Sequence, residues 1–252
     1  MSYAKTYRSD DNVCYFHCIA HTIYRTEFDD HYALNDSDKD MIVEIMKRLE
    51  KLYAGGVEVL QYTILDNHLH IILSENKLFE ISPPEMKRRY EEFHQDKKGM
   101  DARSHSCHQF ITRLNNISCF MRDLQWYSAT FFNNQRKING RRKHGSLWNP
   151  RFRRCTLQGE KALFKCCLYV AMNPVRAKIV KHAENYKWGS WGERKILAGS
   201  HPHQAAWTKF YCGSELSDDS FEDMERDFGE ALSDLEDAFE KHVVGHRYNS
   251  QQ

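Results

Sequence analysis

No run of eighteen apolar residues occurs in the 252-residue chain, so no stretch suits a helix that crosses a bilayer, and no membrane partner is expected. The opening residues, Met1-Ser-Tyr-Ala-Lys-Thr-Tyr-Arg, lack an apolar core, and no secretory signal is expected there. The eight cysteines form no CxxC pair; two of them, Cys166 and Cys167, are adjacent. That scatter argues against a disulfide framework or a zinc knuckle and suits reduced thiols, hence a cytoplasmic setting. Internal repeats are missing too, as is any Walker-type glycine loop, which leaves no P-loop for nucleoside triphosphates. Net charge is almost nil, at +1.

That balance conceals two opposed blocks. Arg136 to Arg154 reads RKINGRRKHGSLWNPRFRR, with eight Lys or Arg and no acid. It is a candidate polyanion-binding surface. Glu215 to Lys241 carries twelve acids against two bases, with Phe221, Met224, Phe228, Leu235 and Phe239 near helical spacing. It predicts an acidic amphipathic helix.

Between these landmarks the chain alternates in type. Residues 13–24 (VCYFHCIAHTIY) predict a strand. Residues 36–54 predict a helix, capped by the NDSDKD run, carrying Ile42, Ile45, Met46, Leu49 and Leu52 on one face, and stopped by Gly55-Gly56. Residues 57–65 and 68–74 predict a hairpin about the turn pair Asp66-Asn67. A polar stretch, 82–106, opens with SPP and reads as an insertion or linker. A long helix is expected over 107–133, a further strand over 151–157, and a helix over 160–173 ended by Pro174. The order β-α-β-β-α-β-α specifies an α+β fold: a ferredoxin-like sandwich with an added C-terminal helix. A domain over 1–194 and an acidic, helical appendage over 195–252 follow.

The stretch that carries chemistry is DNHLHIIL, residues 66–73. Residues i and i+2 of a strand share a face, so His68 and His70 project side by side. Two neutral imidazoles are half of a divalent-metal site. On the terminal helix, Tyr169 and Asn173 stand at i, i+4. Asn173 offers an amide oxygen as third ligand, and a tyrosine beside a metal-bound phosphate can attack phosphorus. The rival nucleophile is Tyr127, which has Phe131 rather than a polar residue at i+4.

These residues carry a resemblance. NHLHIIL resembles the HUH (His-hydrophobe-His) motif of single-tyrosine transposases. GSLWNPRF at 145–152, YVAMNPVRAKIV at 169–180 and NYKWGSW at 185–191 resemble, in order, signature blocks of the REP-associated tyrosine transposases. The resemblance implies a ferredoxin-like fold and cleavage of single-stranded DNA beside a hairpin. It implies a 5′-phosphotyrosine intermediate, and a divalent ion, Mg²⁺ or Mn²⁺. It makes His68, His70 and Asn173 the ligands and Tyr169 the nucleophile. The 82–106 stretch and the tail after 195 have no counterpart in the compact members of that group.

For DNA contact the sequence offers Arg136, Lys137, Arg141, Arg142, Lys143, Trp148, Arg151, Arg153, Arg154 and Arg176. Arg151 and Arg153 are expected on one strand face, with Phe152 inward. Two other readings stay open: a hairpin-binding protein that never cuts, and a metal-dependent nuclease in which water attacks. Monomer and homodimer are equally compatible with the sequence.

Overall fold

β-branched and aromatic residues build the first strand, β1 (Val13–His21). In the computed structural model the described residues are 12–25, 30–31, 33–95, 113–135, 137–138, 141–142, 145–196, 226–238 and 240. β1 stops short of the expected residue 24 because Thr22 leaves the ladder. Its N–H and hydroxyl both donate to Asn67 O, at 2.9 and 3.2 Å, and it bridges to Trp148. Two short strands follow, β2 (Tyr24–Arg25) and β3 (Asp30–His31).

Helix α1 (Asp36–Tyr53) begins at a reciprocal cap: Asn35 Oδ1 accepts from Asp38 N–H at 2.9 Å, and Asp38 Oδ2 accepts from Asn35 N–H at 3.1 Å. All five apolar positions expected to face inward are buried. Gly55, with φ +85°, turns the chain out of the helix, a conformation that suits a residue without Cβ. The expected hairpin is present as β4 (Val57–Ile64) and β5 (His68–Asn76).

The 82–106 stretch is not a plain linker. Its first half is a helix, α2 (Pro83–Gln95), with Met86 and Phe93 buried; residues 96–106 lie outside the described residues. Ser82 O accepts from Met86 N–H at 3.0 Å, and the two prolines occupy the first turn, where missing N–H groups cost nothing. Arg89 donates to Ala54 O at the C-terminal end of α1, at 2.7 Å. The long helix expected from 107 begins later among the described residues: α3 spans Ile117–Gln135, and residues 107–112 lie outside them. Ile117 N–H donates to Glu75 Oε2 at 3.0 Å. Tyr53 OH donates to Asp123 Oδ2 at 2.7 Å, and Arg113 pairs with the same carboxylate, tying α1 to α3.

A small hairpin, β6 (Lys137–Ile138) and β7 (Arg141–Arg142), precedes β8 (Arg153–Leu157). The main sheet has the order β4-β5-β1-β8, with β1 antiparallel to both β5 and β8. β5 thus splits β1 from β4, and the fold is the ferredoxin-like α+β sandwich, with α2 added to it.

The chain divides into two compact units: residues 1–59 with 64–158, and residues 60–63 with 159–252. The second contains α4 (Glu160–Arg176), a 3₁₀ turn (Ala183–Asn185), α5 (Ser190–Ile196) and a helix at 226–238, α6. Pro174 does not end α4, which continues through Arg176. A proline deprives the carbonyl four residues back of its donor. Here Thr63 Oγ1 donates to Val170 O at 2.8 Å and fills the gap. The NYKWGSW block packs on the same four residues of β4. Gly189 bridges to Thr63, Ser190 Oγ accepts from Tyr62 N–H at 2.9 Å, and Tyr62 OH donates to Glu193 at 2.8 Å. Of the expected acidic helix, 226–238 is helical with Phe228 and Leu232 buried, while Phe221, Met224 and Phe239 lie outside the described residues. Among the described residues, no helix is long and apolar enough to cross a membrane.

Candidate functional site

The Asp66-Asn67 turn that presents the two histidines is pinned from three sides. The buried Lys39 amine reaches Asp66 Oδ1 at 2.9 Å, Leu34 N–H donates to Asp66 O, and Thr22 holds Asn67 O. Lys39 belongs to α1 and Thr22 follows β1, so the turn is set by tertiary contacts as well as by its own residues.

Register places the histidines. His21 pairs with His68 and Ile19 with His70 across β1 and β5. Residues 17, 19 and 21 therefore share a face with 68, 70 and 72. Four imidazoles gather there. His17 Nε2 lies 2.9 Å from His70 Nδ1. His21 stacks on His68 at 5.1 Å between centroids, and the His68 and His70 rings meet edge to face at 4.9 Å. His68 Nδ1 donates to Asn67 Oδ1 at 2.6 Å. His17 and His21 were not singled out in the sequence. Their i, i+4 spacing in one strand is the signal, since it puts both on the face that β5 fills with His68 and His70.

His70 is buried, and desolvation, followed by the neighbouring His68, His17 and His21, pushes its pKa down to about 3. Burial lowers His17 as well. Both imidazoles are held neutral, the form that ligates metal.

In the second unit, Tyr169 is 38% exposed while Asn173, one turn on, is 8% exposed. Asn173 Nδ2 is buried without a hydrogen-bond partner. A buried amide with an unmet end is uncommon and suits a ligand the protein alone does not supply. Because amide O and N are interchangeable by rotation, the same position can hold an acceptor. The Arg176 guanidinium lies over the Tyr169 ring, 5.2 Å from its centroid. Tyr169, Lys165, Leu168, Met172 and Arg176 line one wall of a groove of about 810 Å³ whose other wall is α6.

Each donor suits a divalent ion in kind: the His70 imidazole, held neutral, beside His68 in the first unit, and the Asn173 amide in the second. Among the described residues no three His, Cys, Asp or Glu side chains form a metal-holding group, and the expected set contains just two residues of those types.

Tyr127, the rival nucleophile, is 6% exposed, packs on Phe93 at 5.1 Å, and has its hydroxyl pKa raised, first by burial and then by Asp123. It is core. Trp148 is a correction to the expected DNA surface: it is 2% exposed and its indole N–H donates to Ser128 Oγ at 2.8 Å, so no ring face remains for a base. The LWNPRF block is structural at its start. Leu147 O accepts from Ile23 N–H and Asn149 N–H donates to His21 O, which docks the block on the end of β1.

Of the basic residues, Arg151, Arg153, Arg154 and Arg176 are exposed. Arg153 pairs with Ile19 and shares the histidine face, whereas Arg154 points to the other face, over the Phe16 ring at 5.9 Å. Arg151 precedes β8 and does not share a strand face with Arg153 as expected, and Phe152 is half-buried. Lys137, Arg141 and Arg142 lie in the β6–β7 hairpin; Arg136 and Lys143 lie outside the described residues.

No family profile matches the chain, and no curated protein does. The chain is similar to two solved structures. One is a REP-associated tyrosine transposase bound to a REP hairpin, at 12% identity and TM-score 0.46, covering 79% of this chain and 88% of that one. The other is a protein of Deinococcus radiodurans R1 assigned as a transposase, at 14% identity and TM-score 0.31, covering 79% of this chain and 98% of that one.

Proposed function

We propose that the chain is a DNA strand transferase of the transposase class, which nicks and rejoins single-stranded DNA beside hairpins through a 5′-phosphotyrosine. The observation that carries this reading is the pair of imidazoles, His68 and His70, set side by side on one sheet face, with His70 held neutral by burial, in a chain whose next blocks are LWNPRF and Y-x-x-x-NPVRA. His68, His70 and Asn173 would hold Mg²⁺ or Mn²⁺, which would supply charge neutralisation at the scissile phosphate.

The protein's own groups do the rest. The Tyr169 oxygen attacks phosphorus, the bond from phosphorus to the 3′ oxygen breaks, and that oxygen takes up a proton to leave a free 3′-hydroxyl. The Arg176 guanidinium lies over the Tyr169 ring, 5.2 Å from its centroid, and holds the ring by a cation–π contact. Rejoining reverses the step: a 3′-hydroxyl attacks the phosphotyrosine, and the tyrosine oxygen regains its proton. Bond energy is conserved, so no nucleoside triphosphate is consumed. Basic residues of 136–154 neutralise DNA phosphates.

The test is a denaturing gel of labelled single-stranded hairpins from the DNA flanking the gene, incubated with Mn²⁺ or Mg²⁺ and either wild type or Tyr169→Phe. Expected is a protein–DNA adduct that vanishes in Tyr169→Phe. An adduct that persists refutes the nucleophile. Cleavage without adduct refutes covalent transfer in favour of water attack.

A further inference from the structure

We infer that Asn67 and His17 are positioning residues that fix His68 and His70 in the same tautomer, with Nδ1 protonated and Nε2 bare for a metal ion. The inference rests on the ligand reading of His68 and His70 given above. The geometry is the same at both imidazoles. His68 Nδ1 lies 2.6 Å from Asn67 Oδ1, an acceptor, so the hydrogen is on His68. His70 Nδ1 lies 2.9 Å from His17 Nε2. We assign the hydrogen of this contact to His70, with His17 Nε2 as its acceptor.

A neutral imidazole has one N–H and one lone pair, so a hydrogen bond donated at Nδ1 leaves the lone pair at Nε2. Partners of this kind hold the ring plane, raise ligand basicity and, when removed, typically weaken metal binding about 10- to 100-fold. His21, stacked on His68 with 26° between planes, restrains that ring from its flank.

The two partners come from different places. Asn67 is the residue before His68, held by Thr22 through its carbonyl. His17 comes from the neighbouring strand, one pleat along from Ile19, which faces His70. Register alone makes the second partnership: a one-residue slip of β1 against β5 would turn His17 to the opposite face.

The experiment uses the full-length protein, first free of metal. Long-range ¹H–¹⁵N NMR of the imidazoles assigns each tautomer, and titration with Mn²⁺, read by loss of its free-ion EPR signal, gives affinity. In wild type, His68 and His70 are expected as Nδ1–H. His17→Phe, which keeps a ring and removes the acceptor, is expected to release His70 toward Nε2–H and to weaken Mn²⁺ binding about 10- to 100-fold. His17→Gln, whose amide oxygen accepts, is expected to recover most of both, which a merely space-filling role would not. Asn67→Asp is expected to keep the His68 tautomer and Asn67→Ala to lose it.

A His70 tautomer indifferent to His17→Phe overturns the inference, as does Nε2–H at His70 in wild type. Mn²⁺ affinity unchanged in His17→Phe also overturns it. Wild type that binds no Mn²⁺, or binds it equally after His68→Ala, overturns the ligand reading and the inference with it. Tautomers that still shift as expected then place the fault in the ligand reading rather than in the hydrogen bonds.

Discussion

Successive residues of β8 point to opposite faces, and this separates two arginines that look equivalent in the sequence. Arg153 stands in one cross-strand row with Ile19 and His70. Two strand spacings, about 10 Å, separate its backbone from that of His70, within reach of a DNA phosphate adjoining the histidines. Arg154 faces the other way, over Phe16. Arg153→Ala is therefore expected to weaken hairpin binding and to reduce the slope of log K against log salt by about one. Arg154→Ala is expected to change the slope by less than half as much. Fluorescence anisotropy across a salt series measures both, and equal slopes in the two variants would remove the face assignment. Tyr127 and Trp148 make the complementary case. Both are aromatic residues near the motifs, and both are buried with partners of their own, so their substitution reports on packing.

A proline in mid-helix is tolerated where a neighbouring element meets the carbonyl it leaves bare. α4 has Pro174 inside it, and Thr63 supplies the hydrogen bond to Val170 O. This bond keeps Asn173 within the helix, one turn beyond Tyr169, where a helix broken at 174 would fray. Thr63→Val, nearly isosteric, is expected to destabilise by about 1–3 kcal/mol because the carbonyl stays buried and unpaired. In a Pro174→Ala background, residue 174 regains its N–H, and the same Thr63→Val change is expected to cost less than half as much. Urea titration of the four proteins gives the coupling, and strict additivity would show that Thr63 does not serve the helix. α2 shows the converse. Its sequence, PPEMKRRYEEFHQ, has so few apolar residues that it reads as a linker, yet Met86 and Phe93, seven apart, are a sufficient buried stripe. The Ser82 and double-proline start was the available helix signal.

On the scale of the whole molecule, the acidic helix α6 belongs to the second unit through its apolar side. Phe228 meets the Phe164 ring of α4 at 5.6 Å and the Trp191 ring of α5 at 4.9 Å. Glu236 accepts from Ala183 N–H at 2.7 Å at the start of the 3₁₀ turn. Phe228→Ala is expected to cost about 3–5 kcal/mol, the usual range for emptying a buried phenyl site. Chemical denaturation monitored by Trp fluorescence tests this, and a loss under 1 kcal/mol would mean that α6 is attached only loosely.

The sequence by itself determined the elements with strong periodicity: β1, the capped α1, the β4–β5 hairpin and the helix bearing Tyr169. It also determined that His68 and His70 share a face, because a strand alternates strictly from one residue to the next. Tertiary structure decided what depends on distant partners. It placed β1 between β5 and β8, brought His17 and His21 to the same face as His68 and His70, and turned Arg153 toward that face and Arg154 away. It also buried Trp148 and carried α4 past Pro174. The physical reason is range. Alternation and capping act over a few residues, whereas register, burial and the supply of a missing hydrogen bond depend on residues tens of positions away, brought near only by the folded chain.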